Sequence, residues 1–288
     1  MIDTSFKSTR NYSRRKLQSR LFVVLSASSA LATVVVLFVI LGYVLYRGAS
    51  ALDIDFFTKL PRPVGEAGGG MAHAMIGSLI VLAIGSAIAL PVGLFTGIYL
   101  AEYRSSFVAD LVRFVIETMA GIPSIVVGIF AFAMVVRPMG TFSAWAGGFA
   151  LAVIMIPIFA RAAEVALRTV PFSLREASLA LGVPFWRTTL RVVMPTAKGG
   201  LVTAFMLALA RAGGETAPLL FTALGNRFFQ DGLSHPIATL PVQIYTYAIG
   251  PYDDWHRQAW AGALVLVVIT VVIIGVVRAV LGRSNIAQ

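Results

Sequence analysis

The chain has 288 residues, 58% of them hydrophobic and 12% charged, with a formal charge of +10 and no cysteine. Soluble domains carry about 45–50% apolar and about 25% charged residues, so this balance excludes an ordinary water-soluble fold. The absent cysteines remove disulfides and thiolate chemistry, and basic residues at the ends of apolar runs, without interleaved aromatics, argue against a nucleic-acid surface.

Residues 1–20 form a polar, basic N-terminal segment, and 21–288 read as one transmembrane domain. The first apolar run, 21–46, exceeds the about 7–15 residues of a signal-peptide core and reads as a retained signal anchor. Five more runs follow, at 72–101, 114–136, 145–162, 197–221 and 258–280. As helices they are long enough to cross a hydrocarbon core of about 30 Å, which gives an all-α, six-span protein with both termini on one side.

Inside the second run, Pro91 and the pair Gly93 and Gly97, four residues apart, predict a kinked helix packed closely on a neighbour. Ahead of it the loop 48–71 ends in Glu66-Ala67-Gly68-Gly69-Gly70 and reads as flexible. Distribution of charge orients the spans. Sixteen basic residues, among them Lys7, Arg14, Arg113, Arg161, Arg175 and Arg283, fall on one side against six on the other. The richer side is expected to be cytoplasmic.

Residues 171–195, PFSLREASLALGVPFWRTTLRVVMP, lie on that side. Ser173 and Glu176 have the spacing of a capping box, which predicts a helix over about 174–181. Gly182 can take a positive φ and Pro184 suits the start of a second helix, so a sharp turn is expected between two short helices. The first is too short to cross a membrane. Its apolar residues Leu174, Ala177 and Leu181 need cover, either from the rest of this chain or from another protein.

The fifth run holds Arg211-Ala212-Gly213-Gly214-Glu215-Thr216-Ala217-Pro218, with an arginine and a carboxylate one helical turn apart. Each charge costs at least about 2.5–3.5 kcal/mol at mid-membrane, so such residues face a bundle interior or a watery path. Two readings stand at this point: an intrahelical ion pair that stiffens the bundle, or groups exposed to a translocated ion. The connection 222–257 carries Asn226, Asp231, Asp253, Asp254 and three prolines. It reads either as a docking surface or as a solvated connector whose prolines prevent helix. His73, His235 and His256 have no metal-ligand spacing, and no Ser/His/Asp arrangement is apparent.

Glu176-Ala177-Ser178, Ala180-Leu181-Gly182 and Pro195 resemble the Glu-Ala-Ala…Gly…Pro loop of ABC-importer permeases. In that family the first short helix is the coupling helix, which implies an ATPase-contacting role for Ser173, Glu176, Ala177 and Gly182. Glu176 keeps two readings, cap or direct contact. The run from Arg211 to Pro218 is similar to the Arg-Ala-x-Gly-Glu-Thr-Ala-Pro signature of phosphate ABC-importer permeases, and Gly121-Ile122-Pro123-Ser124-Ile125-Val126-Val127-Gly128 resembles a second stretch of it.

The resemblance implies a type I importer permease of the bacterial inner membrane. It would work beside a homologous second permease, two ATP-binding subunits and an extracytoplasmic phosphate-binding protein. Arg211, Glu215 and Thr216 would lie on the substrate pathway. No cofactor is expected in this chain, which lacks a P-loop; ATP and Mg would be bound by the ATPase. An ion-coupled secondary anion transporter using Glu215 as a proton-binding group, and an intramembrane enzyme, are the alternatives from other classes.

Overall fold

The computed structural model describes residues 9–282, all of them helix, turn or loop apart from one isolated bridge between Pro61 and Gly69. Lys7 and Arg283 lie outside these residues. The helices are α1 (Thr9–Ala49), α2 (Ile54–Thr58), α3 (Ala72–Glu102), α4 (Phe107–Gly121), α5 (Ser124–Met139), α6 (Ala144–Arg168) and α7 (Phe172–Ala180). After them come α8 (Phe185–Thr196), α9 (Lys198–Gly213), α10 (Ala217–Leu220), α11 (Leu240–Ala248) and α12 (Asp253–Gly282). Four helices, α1, α3, α6 and α12, are each long and apolar enough to span; the bent pairs α4–α5 and α8–α9 bring the total to as many as six where each pair counts as one broken span.

Helices α3 and α6 form the spine. Val81, Leu82 and Ala89 meet Leu151, Met155, Phe159 and Ala163, and α9 adds Ala204, Phe205 and Ala208 to the same core. The small residues of α3 permit this approach. A Cβ on Gly97 would sit 2.8 Å from the Ala163 methyl and 2.9 Å from the Ala160 carbonyl oxygen. Close packing is therefore the role of Gly93 and Gly97, and α3 continues as one helix through Pro91. By contrast α1 is bare over its apolar length and touches the rest of the chain near Gly48, against Trp260 and Leu264 of α12.

Four expectations change. The third span does not run from 114 to 136 as one rod: α4 ends at Gly121, Ile122 is extended (φ −70°, ψ 131°), and α5 leaves at 103° to α4. Proline disfavours helical backbone in the residue before it, and Pro123 imposes that on Ile122. The fifth span, expected over 197–221, is interrupted as well. Its helix α9 stands at 75° to α8, stops at Gly213, and is followed by a non-helical Gly214 and Glu215 before α10.

The connection 222–257 is not a helix-free connector. It contains α11, with Pro241 in the first turn, where the missing N–H removes no helical bond. Ile237, Ala238 and Leu240 are buried, and the Leu240 amide donates to Ser78 Oγ at 2.7 Å, so this segment dives into the bundle. Exposed stretches remain at 227–229 and 233–235. The loop 48–71 is also anchored, since Met71 and Phe56 are fully buried and Gly70 fits under the end of α2.

Candidate functional site

Arg211 occupies the last turn of α9, where unpaired carbonyls and the helix dipole favour a cation. It stands about 20 Å along the helix from Lys198 at 1.5 Å per residue. Helical geometry then fails at Gly214, whose Cβ position opens onto empty space. In the break, Glu215 turns inward. Its side chain is 6% exposed and pairs with the Arg211 guanidinium, whose own side chain is 56% exposed. Thr216 starts α10, its carbonyl accepting from the amides of Leu219 and Leu220, and its hydroxyl is not used as a cap.

The expected pairing of Arg211 and Glu215 is thus present, but across a helix break rather than along a helix face. The difference matters chemically. Arg211 presents its donors outward from the chain's own packing, while the carboxylate is held behind it by buried neighbours. Such a cation belongs at a watery path or a subunit contact. The second sequence stretch packs directly behind the site: a Cβ on Gly128 of α5 would be 2.7 Å from Pro218 Cα and 3.2 Å from the Phe221 ring. The two motifs, about ninety residues apart in sequence, are one contact in space.

Below Arg211, towards the arginine-rich end, lies an open groove of about 650 Å³ between α4, α6 and α9. Leu207 and Thr203 line it from α9, at four and eight residues before Arg211, hence on the same helical face. Pro157 and Arg161 line it from α6 and Glu117 from α4. The groove therefore continues the Arg211 face towards the basic end of the bundle.

At that end α7 begins at Phe172, two residues earlier than a helix capped by Ser173 would begin. Pro171 occupies the cap position and no side chain caps the helix. The capping box of Ser173 and Glu176 is therefore not formed, because Pro171 at ψ 137° already fixes the turn into the helix. Both residues are exposed, as are Leu174, Ala177, Leu181, Phe185 and Trp186. Gly182 has φ +77°, the left-handed conformation the turn needs, and its amide donates to the Leu179 carbonyl at 2.9 Å. Among the described residues none covers the apolar face of α7.

One ionic cluster was not singled out from sequence. Glu164 of α6 is fully buried and accepts from Arg113 Nε at 2.9 Å and Arg161 Nη1 at 2.7 Å, with Arg168 Nη2 at 2.6 Å. Arg113 and Arg168 also donate to the Leu100 carbonyl, at 3.1 and 3.2 Å, which joins α3, α4 and α6. The signal available was Arg161, Glu164 and Arg168 at i, i+3 and i+7 on one helix face. Nothing local in the sequence marks Arg113 as a partner.

Residues 93–284 match the family described as binding-protein-dependent transport system inner membrane component. The chain is 42% identical over 272 residues to the phosphate transport system permease protein PstA of Yersinia pestis, with 92% of each chain covered. It is 40% identical over 284 residues to the protein of the same name from Xylella fastidiosa (strain Temecula1), covering 98% of this chain and 99% of that one. In structure, 73% of the chain corresponds to 90% of a chain from an inward-facing conformation of the MetNI methionine ABC transporter, with a TM-score of 0.53 at 22% identity, a likeness of fold. With the helix-break ion pair, the uncovered α7 and these relatives together, the chain belongs to the binding-protein-dependent inner-membrane transport components and, within them, to the PstA-type permeases.

Proposed function

We propose that this chain, paired with a homologous second permease, forms the path by which inorganic phosphate crosses the inner membrane, driven by ATP hydrolysis in a separate ATPase. The carrying observation is the Arg211–Glu215 pair, in which an outward guanidinium is backed by a buried carboxylate at an interrupted helix. A guanidinium offers a planar, permanently charged donor fork that matches phosphate oxygens. Glu215 partly neutralises it, so an anion is not held too tightly to leave. Thr216 lies beside them with a hydroxyl not committed to capping.

The remaining parts are carried over from the importer family to which the chain belongs. An extracytoplasmic phosphate-binding protein delivers the anion at the end where α3 and α12 begin. The groove past Leu207 and Thr203 leads it to the arginine-rich end, which is cytoplasmic and holds both termini. There α7, exposed at Ser173, Glu176, Ala177 and Leu181, seats in one of two ATP-binding subunits, with Gly182 turning the chain back. ATP and Mg belong to those subunits; this chain moves the ion and does no bond chemistry. Lipid or the second permease covers α1.

Two measurements test this. Phosphate uptake into vesicles carrying the assembled complex is expected to require ATP, whereas uptake driven by an ion gradient alone returns the chain to the secondary-transporter class. Glu215→Gln is expected to lower the preference for phosphate over sulfate by at least about tenfold. Glu215 can accept a hydrogen bond from a protonated phosphate, and fully ionised sulfate has none to give. A preference unchanged in that variant removes Glu215 from selectivity.

A further inference from the structure

Helix α7 has two faces with different fates. Arg175 and Ser178, three residues apart, are its buried members, while Ser173, Glu176 and Ala177 are exposed. The Arg175 guanidinium pairs with the carboxylate of Glu102, the last residue of α3, and the two side chains are 6% and 5% exposed. From its other terminal nitrogen, Nη2, Arg175 donates to the Leu167 carbonyl at 3.2 Å, near the end of α6. One side chain of α7 thus grips the ends of both spine helices. Ser178 adds a 2.8 Å hydroxyl contact to Thr188 of α8. Over this joint lies a small core of Ala101, Leu167, Val170, Val193 and Ala197.

Apolar contacts can slide by a rotamer change. A buried charge pair cannot separate without stranding a charge away from water, so it resists sliding far more steeply. Movement of α7 must carry the ends of α3 and α6 along, or break the pair. Because α6 walls the groove below Arg211 with Pro157 and Arg161, any displacement of its end reshapes that groove.

We propose that the Arg175–Glu102 ion pair is the positioning link through which movement of α7 is transmitted to α3 and α6, so that its loss uncouples ATP hydrolysis from phosphate movement without detaching the ATPase. The inference rests on the reading of α7 as the ATPase-docking helix, and the experiment separates the two. The chain has no cysteine, so Ala177→Cys can be crosslinked to a cysteine placed in the ATPase without background from this chain. Failure of that crosslink in the otherwise unaltered complex overturns the docking reading, and the link with it.

With docking established, Arg175→Gln in the assembled complex is expected to keep the crosslink and to lower inorganic phosphate moved per ATP hydrolysed about tenfold. The charge exchange Glu102→Arg with Arg175→Glu is expected to restore the ratio. An unchanged ratio in Arg175→Gln with the crosslink intact overturns the link, as does an exchange variant that inserts and docks yet stays uncoupled. If Arg175→Gln does not insert, Arg175→Lys serves instead. It keeps the charge but not the forked reach to Leu167, so an intermediate ratio supports the link and a native ratio overturns it.

Discussion

Arg211→Gln is expected to reduce ATP-driven phosphate uptake by between about tenfold and about a hundredfold, with insertion and ATPase attachment unchanged. The magnitude is that of a charge-assisted hydrogen bond, about 1.5–3 kcal/mol, lost wherever the anion must pass Arg211. Glutamine keeps a donor and much of the length but neither the charge nor the two-pronged geometry. Arg211→Lys should recover part of the loss, since a point charge still attracts phosphate without bidentate contact. The folded structure should tolerate both, because the Arg211 side chain is more than half exposed. Glu215, left without its partner, is the group whose burial would register any structural cost. The measurement is uptake into vesicles at matched complex content. Undiminished uptake would mean that Arg211 serves only to hold Glu215 in the helix break.

The second large effect is on stability. Glu164→Ala is expected to destabilise the chain by about 3 kcal/mol, the lower end of the cost of breaking a buried ion pair, because the arginines left behind are partly exposed. Glu164 is the one carboxylate shared by Arg113, Arg161 and Arg168, and its side chain is fully buried. Its removal leaves Arg113 to Asp110 and Arg161 to Glu117 and, among the described residues, Arg168 without a carboxylate, and it loosens the two arginines that support the Leu100 carbonyl. Glu164→Gln keeps the shape and some hydrogen bonds and should fall between wild type and alanine. Thermal unfolding of the purified complex in detergent measures this directly. A melting temperature unmoved by the alanine variant would show the arginines to be satisfied by water at that end of the bundle.

The apolar runs imply a helical membrane bundle, and four of the six, 21–46, 72–101, 145–162 and 258–280, fall within unbroken helices. What the runs conceal is their interruptions. Ile122-Pro123 and Gly213-Gly214 are visible in sequence, yet both sit inside long apolar stretches, and hydropathy does not distinguish a straight span from one bent by 103°. Pro241 misleads in the opposite direction, because a proline that ends one helix is equally suited to begin another. Ser173 and Glu176 have cap spacing, but Pro171 determines where α7 starts.

The candidate site was legible where its chemistry is local. Arg211, Glu215 and Thr216 fall within six residues, and the positive φ of Gly182 follows from its place before Pro184. The pairs Arg113 with Glu164 and Arg175 with Glu102 join residues 51 and 73 positions apart, and only the packing of α3, α4, α6 and α7 brings them together.

The contact between Gly128 and Pro218 leaves no room for a single methyl group. It acts as a bearing: two backbones rest on each other with nothing compressible between them. A tilt of α5 about the Ile122–Pro123 bend therefore cannot be absorbed by side-chain rearrangement at that point and must be delivered to the segment carrying Glu215. The bend before α5 is in this way geared to the Arg211–Glu215 ion pair.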